Sequence, residues 1–194
     1  MNELKKKYLE FMQLEKCKVK YILDDGKKIE FIFKEESFPH LIGLHKLKDI
    51  QLIQFWLDRT NRTVKLKTVL NHIKNESLTD SIIKSSMFYS EIQDRYENFS
   101  YKNLTTLSYT DVVINFNPKI IKSKLKSDYI LFEEKNNGKY NHMAIALDKK
   151  TGKRYIETFF NESSNKYIHN QKIEKVKSFY LYDKNNKLIV NDSF

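Results

Sequence analysis

The spacing of apolar residues changes period for good at Asp111, and that change constrains the fold more than any other feature. Before Asp111 most apolar residues recur every three or four positions, as in Thr63 to Asn75 (TVKLKTVLNHIKN), where Val64, Leu66, Val69, Leu70 and Ile73 share a face. From Asp111 onward the runs DVVINF, DYILFEE, HMAIALD, RYIETFF and VKSFYLYD are short and rich in β-branched and aromatic residues, with NNGK, KKTGK and KNNK turns between them. A helix buries a stripe and a strand buries alternate residues. The first part therefore reads as helices and the second as an antiparallel sheet of about four to five strands in meander order. One early stretch breaks the rule: KVKYILDDGKKIEFIFK alternates on both sides of Asp25-Gly26, a two-residue turn signal that predicts a β-hairpin over about 18–34.

Residues 3–16 predict a helix. The pattern after Pro39 is helical through Leu57, and Thr79 opens a longer helical run in which Ile82, Ile83, Tyr89, Ile92, Tyr96 and Phe99 recur at helical spacing. The fold class is α+β, with an N-terminal helix and β-hairpin, a helical middle section and a C-terminal antiparallel β-sheet. No repeat, low-complexity tract or linker interrupts the chain. Its 194 residues, 40% of them apolar, fit a single domain over 1–194 with a helical insertion at about 58–110.

The charge points to a polyanionic partner. Lysine and arginine total 35 against 25 acids, a formal charge of +10, which favours nucleic acid or another anionic surface. Only Arg59, Arg62, Arg95 and Arg154 are arginines; a lysine-rich, A·T-biased genome accounts for lysine over arginine better than for base over acid. The single cysteine, Cys17, excludes an internal disulfide and a cysteine-rich zinc site, and suits a reducing, cytoplasmic setting. It reads as a small apolar residue at a helix end, with no local signature of a nucleophile. The N-terminus MNELKKKYLEFMQ is amphipathic and unlike a signal peptide, and no run approaches the ~20 apolar residues of a membrane span.

Metal chemistry has weak support. In DYILFEEK, Asp128 and Glu133 fall on opposite faces of a strand, and Glu134 lies ~20 Å from Asp128 along it, so these carboxylates read as the solvated end of an edge strand. His40 and His45 are five apart, whereas a helix offers two ligands to one metal at a spacing of three or four. No glycine-rich phosphate loop or other cofactor motif is present, and neither metal nor cofactor is expected.

What remains is acid–base chemistry, which in RNA cleavage needs a base for the 2′-hydroxyl, an acid for the leaving oxygen and cations on the phosphate. SFPHLIGLHKL concentrates suitable groups. Between Pro39 and His45 stand two of the five histidines, one of the four glycines and one of the two prolines, followed by Lys46 and Lys48. Two readings stand side by side: a reactive segment, or a helix started by Pro39 and packed through Leu41, Ile42, Leu44 and Leu47 with histidines merely flanking it. His142 opens HMAIALD on a face shared with Ala144 and Ala146, leaving space over the sheet for a substrate or for a packed helix. In RYIETFF alternation groups Arg154, Ile156, Thr158 and Phe160; Phe159 and Phe160 read as core and Thr158 as the more plausible functional atom. Arg95, on the long helix, could bind a phosphate bidentately, while a solvated or ion-paired helix arginine is the more usual reading. His72 and His169 read as surface residues.

FPHLIGLHKL, IQDRYENF, IKSKLKSDYILF, NHMAIALD, and RYIETFF followed by YIHNQKIEKV resemble, in order and spacing, the phage-associated nucleases grouped with barnase, EndoU, colicin and RelE-like enzymes, in particular the fourth phage group. The resemblance spans about residues 20–180. It implies an α+β ribonuclease-like domain that cleaves RNA without metal through a 2′,3′-cyclic phosphate. By matching position it implies His40, His45, His142, Arg95 and Thr158 as catalytic candidates, and Gly43, Lys46, Lys126 and Tyr129 as substrate-binding ones. His40 or His45 would be the base, another histidine the acid, and Arg95 with Lys46 or Lys126 the phosphate contacts. Gly43 would permit close approach of a backbone or ligand. By the same analogy the protein would be a toxin or phage-linked effector of a bacterial or phage-infected cell, acting on RNA such as transfer RNA and held in check by an acidic inhibitor protein or by conditional expression. The alternatives are a non-catalytic nucleic-acid-binding or phage/host interaction protein on the same fold, and a basic module that binds an acidic protein.

Overall fold

A computed structural model describes residues 1–58, 60–105, 109–135 and 138–193, with backbone only at 62, 102 and 103. Asn136 and Asn137 of the expected NNGK turn, and Arg59, Thr106, Leu107 and Ser108 of the expected helical insertion, lie outside the described residues. The chain folds into two compact units, Met1–Leu14 with Glu35–Leu104 and Glu15–Lys34 with Thr105–Phe194. The first is helical and the second carries all the strands.

In the helical unit, α1 (Glu3–Met12) starts where the Asn2 side chain accepts a hydrogen bond from the Lys5 N–H at 3.1 Å, and its Leu4, Tyr8 and Phe11 are buried. Tyr8 and Phe11 pack on Phe38 with ring centroids 5.4 and 5.6 Å apart, and Phe99 closes the cluster 5.5 Å from Phe38. The stretch expected to be helical from Pro39 to Leu57 is instead α2 (Phe38–Leu41), a 3-10 turn (Leu44–Lys46) and α3 (Gln51–Leu57). Gly43 separates the first two at φ 91°, a left-handed conformation that ends the helix after one turn.

α4 (Arg62–Lys74) matches the periodic stretch from Thr63. The long helix expected after Thr79 is broken into α5 (Asp80–Lys84), a 3-10 turn (Tyr89–Glu91) and α6 (Gln93–Asn98), followed by α7 (Tyr101–Thr105). The cause lies in Ser85 and Ser86. The Ser85 hydroxyl donates back to the Ile82 carbonyl at 2.9 Å, while Asp49 accepts from the Ser86 hydroxyl at 2.5 Å and from the Met87 N–H at 2.9 Å. Side chains thus replace the backbone partners a continuing helix would use. No helix among the described residues is long and apolar enough to cross a membrane.

The sheet unit begins with the expected hairpin, β1 (Lys18–Leu23) and β2 (Lys28–Ile32), and continues with β3 (Asp111–Ile114), β4 (Tyr129–Glu134), β5 (Tyr140–Leu147), β6 (Arg154–Glu162), β7 (Lys172–Tyr182) and β8 (Leu188–Ser193). All eight join one sheet, more than the four to five expected, because the hairpin pairs with β7 and the last residues add β8. The meander expectation holds for β3 to β6. β7 then returns to pair with both β3 and β1, and one parallel contact, Ile32 with Tyr155, links β2 to β6, so the pairings close a ring of strands. Val19, Tyr21 and Leu23 alternate inward against Leu181, Phe179 and Val176, all almost fully buried.

Two sequence expectations need correction. β4 is no edge strand: it lies between β3 and β5, with Ile130, Leu131 and Phe132 all buried. Strict alternation along RYIETFF also fails, because a bulge shifts the register so that Thr158 faces Ala144 while Ile156 faces Ile145. Thr158 and Ile156 therefore occupy different faces. The carboxylate of Glu157, at the bulge, accepts hydrogen bonds from the Lys126 N–H at 2.9 Å and the Ser127 hydroxyl at 2.6 Å.

Candidate functional site

The helical unit brings together five of the residues singled out in the sequence, His40, Gly43, His45, Lys46 and Arg95. The one-turn helix α2 and the 3-10 turn after it place His40 and His45 on neighbouring turns, their rings 4.9 Å apart. Five residues is too wide for one helix face. The left-handed Gly43 folds the chain back and closes the gap.

Gly43 has a second use. A Cβ at this position would lie 2.8 Å from Ile92 Cγ2 and 3.4 Å from Arg95 Cδ, so the segment carrying Arg95 rests directly on the glycine backbone. α6 is held there by buried Tyr96 and Phe99. The Tyr96 hydroxyl donates to Asp80 at 2.6 Å, and the Lys7 ammonium, on α1, donates to the Phe99 and Glu97 carbonyls at 3.1 and 3.4 Å. Tyr96 and Phe99 point inward, which directs Arg95 toward the histidine turn.

The electrostatics are positive and poorly compensated. Arg95 is half-buried, and its guanidinium makes a long hydrogen bond, 3.5 Å, to the His40 carbonyl. Among the described residues no carboxylate pairs with it; burial lowers its pKa to about 10, which leaves it charged at neutral pH. Lys46 has one loose acidic partner among the described residues, Glu91, at 3.9 Å. His45 is pushed down to about 3, first by burial and then by the positive charges of His40, Arg95 and Lys46, so it is neutral at pH 7. Its Nδ1 is buried without a hydrogen-bond partner among the described residues. His40 is exposed to solvent on one side and meets the Trp56 ring edge-on on the other, centroids 4.8 Å apart. Trp56, nearly fully buried on α3, escaped the sequence reading because nothing in its spacing from His40 signals the contact.

The other sequence candidates belong to the sheet unit. His142 is fully buried, its ring stacked on Phe160 at 4.8 Å and 7° and flanked by Tyr167 at 5.6 Å. Among the described residues neither ring nitrogen makes a hydrogen bond of good geometry, and burial lowers its pKa to about 4 against a weaker opposing contact with the Tyr140 backbone. The space expected above Ala144 is filled by Ile121, Leu125, Tyr167 and Ile168, which come from loops and not from a helix. Lys126 has an exposed side chain, Tyr129 lies under the Arg154 guanidinium at 5.1 Å, and Thr158 is half-buried. Asp128 pairs with Arg154 at 3.3 Å and Glu133 with Lys135 at 2.8 Å. No group of three or more His, Cys, Asp or Glu side chains among the described residues is arranged to hold a metal ion.

The arrangement of His40, His45 and Arg95 is one that can bind an anion and move protons beside it. No curated protein and no solved structure matches the chain significantly. The family model described as phage-Barnase-EndoU-ColicinE5/D-RelE like nuclease 4 matches residues 3–193. A match over nearly the whole length establishes that this chain belongs to that nuclease family.

Proposed function

We propose that the protein is a metal-independent endoribonuclease in which His40 and His45 move the protons and Arg95, with Lys46, holds the phosphate. The observation that carries this reading is the pair of imidazoles 4.9 Å apart beside a guanidinium that no carboxylate among the described residues neutralises. In such a reaction the ribose 2′-oxygen attacks the adjacent phosphorus. The O2′–P bond forms, the P–O5′ bond breaks, one group takes the 2′-hydroxyl proton and another returns a proton to the 5′-oxygen, leaving a 2′,3′-cyclic phosphate. His45, neutral at pH 7, is the proton acceptor; solvent-facing His40 is the donor. Burial depresses His45 first and the neighbouring positive charges second; a bound phosphate neutralises those charges and so relieves the second part of the depression. Arg95 and Lys46 then stabilise the charge that builds on the phosphoryl oxygens.

In the sheet unit, exposed Lys126 and half-buried Tyr129 are kept as substrate contacts. His142, with no exposed atom, is given a packing role and Thr158 no chemical step. The setting that fits this reading is the cytoplasm of a bacterial or phage-infected cell, with RNA, transfer RNA among it, as substrate and an acidic protein as inhibitor.

The test is to incubate total RNA and transfer RNA with the protein in excess EDTA, beside His40→Ala and His45→Ala variants, and to identify the fragment ends. Cyclic phosphate ends produced by the wild type and lost in both variants support the reading. RNA bound but left intact by the wild type would replace it with the non-catalytic nucleic-acid-binding alternative.

A further inference from the structure

The outer face of the sheet carries a second feature suited to nucleic acid, made of residues outside the candidate site. On β1 and β7 the alternation that buries Val19, Tyr21, Phe179 and Leu181 turns Lys18, Lys20, Tyr180 and Tyr182 outward. The register sets Lys18 directly opposite Tyr182 and Lys20 directly opposite Tyr180. The two tyrosine rings are nearly parallel, 18° between planes and 6.3 Å between centroids. The Lys18 ammonium lies 5.6 Å from the Tyr182 ring centre and the Lys20 ammonium 5.8 Å from that of Tyr180. Lys18 also meets Glu30 at 3.8 Å, whereas Lys20 makes no ion pair among the described residues.

We propose that Tyr180 and Tyr182 form a stacking platform for successive bases of a single strand, with Lys18 and Lys20 moving from the rings to its phosphates. Both tyrosines are half-buried, so each ring is fixed by the sheet while part of it stays open to solvent. Aromatic faces accept any base, and lysines beside them follow the backbone charge, the combination by which single strands are held without sequence preference. The formal charge of +10 complements a polyanion and disfavours a basic or apolar occupant. A duplex fits less well, because its bases are already stacked on one another. The proposal rests on the nuclease reading for the biological purpose of holding RNA; the binding itself follows from the face.

The experiment titrates a fluorescent 12-nucleotide 2′-O-methyl oligouridylate, which cannot form a cyclic phosphate, and follows its anisotropy. The double variant Tyr180→Leu/Tyr182→Leu is expected to weaken binding at least tenfold, and Tyr180→Phe/Tyr182→Phe, which keeps the rings, to bind within twofold of wild type. Lys18→Gln/Lys20→Gln should lower the slope of log affinity against log salt by about 1.4, roughly 0.7 for each phosphate no longer neutralised. Far-ultraviolet circular dichroism and thermal melting establish that each variant is folded. A folded leucine variant that binds like wild type would overturn the proposal, as would a phenylalanine variant that binds as poorly as the leucine one. Because the probe is not cleavable, a protein that fails to cut RNA still gives a decisive answer here.

Discussion

Gly43 and Ile92 touch so closely that a methyl group on the glycine would come within 2.8 Å of Ile92 Cγ2. The contact sets the distance between the histidine turn and the segment that carries Arg95. It also explains why a glycine stands between His40 and His45: the left-handed turn and the close approach both forbid a side chain.

Replacing it tests both points. Gly43→Ala is expected to lower stability by about 2–4 kcal/mol, from φ strain together with overpacking against Ile92. Urea unfolding monitored by circular dichroism gives the loss, and RNA cleavage by the fraction that stays folded should fall as well, because Arg95 is displaced with Ile92.

Arg95 offers a sharper functional test. Arg95→Gln removes the guanidinium from the histidine turn and is expected to reduce kcat/KM for RNA by about a hundredfold, in the range seen when one stabilising donor is removed. Arg95→Lys keeps the charge and loses the fork, so it should recover only part of that rate. Equal activity of wild type and Arg95→Gln would remove Arg95 from the mechanism.

The contact between His40 and Trp56 supplies a reporter. Trp56 is the protein's only tryptophan, and an imidazolium 4.8 Å away quenches its fluorescence more than a neutral imidazole does. A pH titration is expected to show a fluorescence transition that disappears in His40→Gln. Inorganic phosphate should change the Trp56 fluorescence of the wild type and leave that of His40→Gln unchanged, since an anion at the site acts on the tryptophan through the histidine between them. An unchanged transition in His40→Gln would assign the signal to another group.

His142 gives a stability prediction with a defined sign. Its pKa in the folded protein, about 4, lies below the ordinary 6.5, so the folded state prefers the neutral ring. The contribution is complete above pH 6.5 and is lost as pH falls from 6.5 toward 4, by about 3 kcal/mol in total at ~1.4 kcal/mol per pH unit. His142→Phe keeps the stack on Phe160 and removes two buried ring nitrogens that lack a well-formed hydrogen bond among the described residues. It is expected to raise stability by about 1–2 kcal/mol at pH 7 and to flatten the acid limb measured by denaturant unfolding between pH 4 and 7. A loss of RNA cleavage with gained stability would return His142 to the chemistry.

Local pattern was legible and its interruptions were not. The hairpin at Asp25-Gly26, the amphipathic α1 and the short β-branched and aromatic runs that became β3 to β7 follow from residues near one another in the chain. The break at Ser85-Ser86 was hidden because it depends on Asp49, a residue 37 positions from Ser86. β8 lacked the apolar alternation that marks a buried strand, since it is mostly exposed. The bulge beside Thr158 reversed a face assignment because a register shift is decided by the partner strand β5.

From the order of residues alone it follows that helices precede a sheet, that the chain is basic, and that histidine, glycine and lysine crowd one short segment. Those properties need only composition and neighbour spacing. Only the folded chain brings Arg95 to the His40 carbonyl across 55 positions, leans His40 on Trp56, and lets β7 join the hairpin to the later strands. Each is a contact between distant positions, selected by how buried side chains fill space together, and no periodicity along the chain records it.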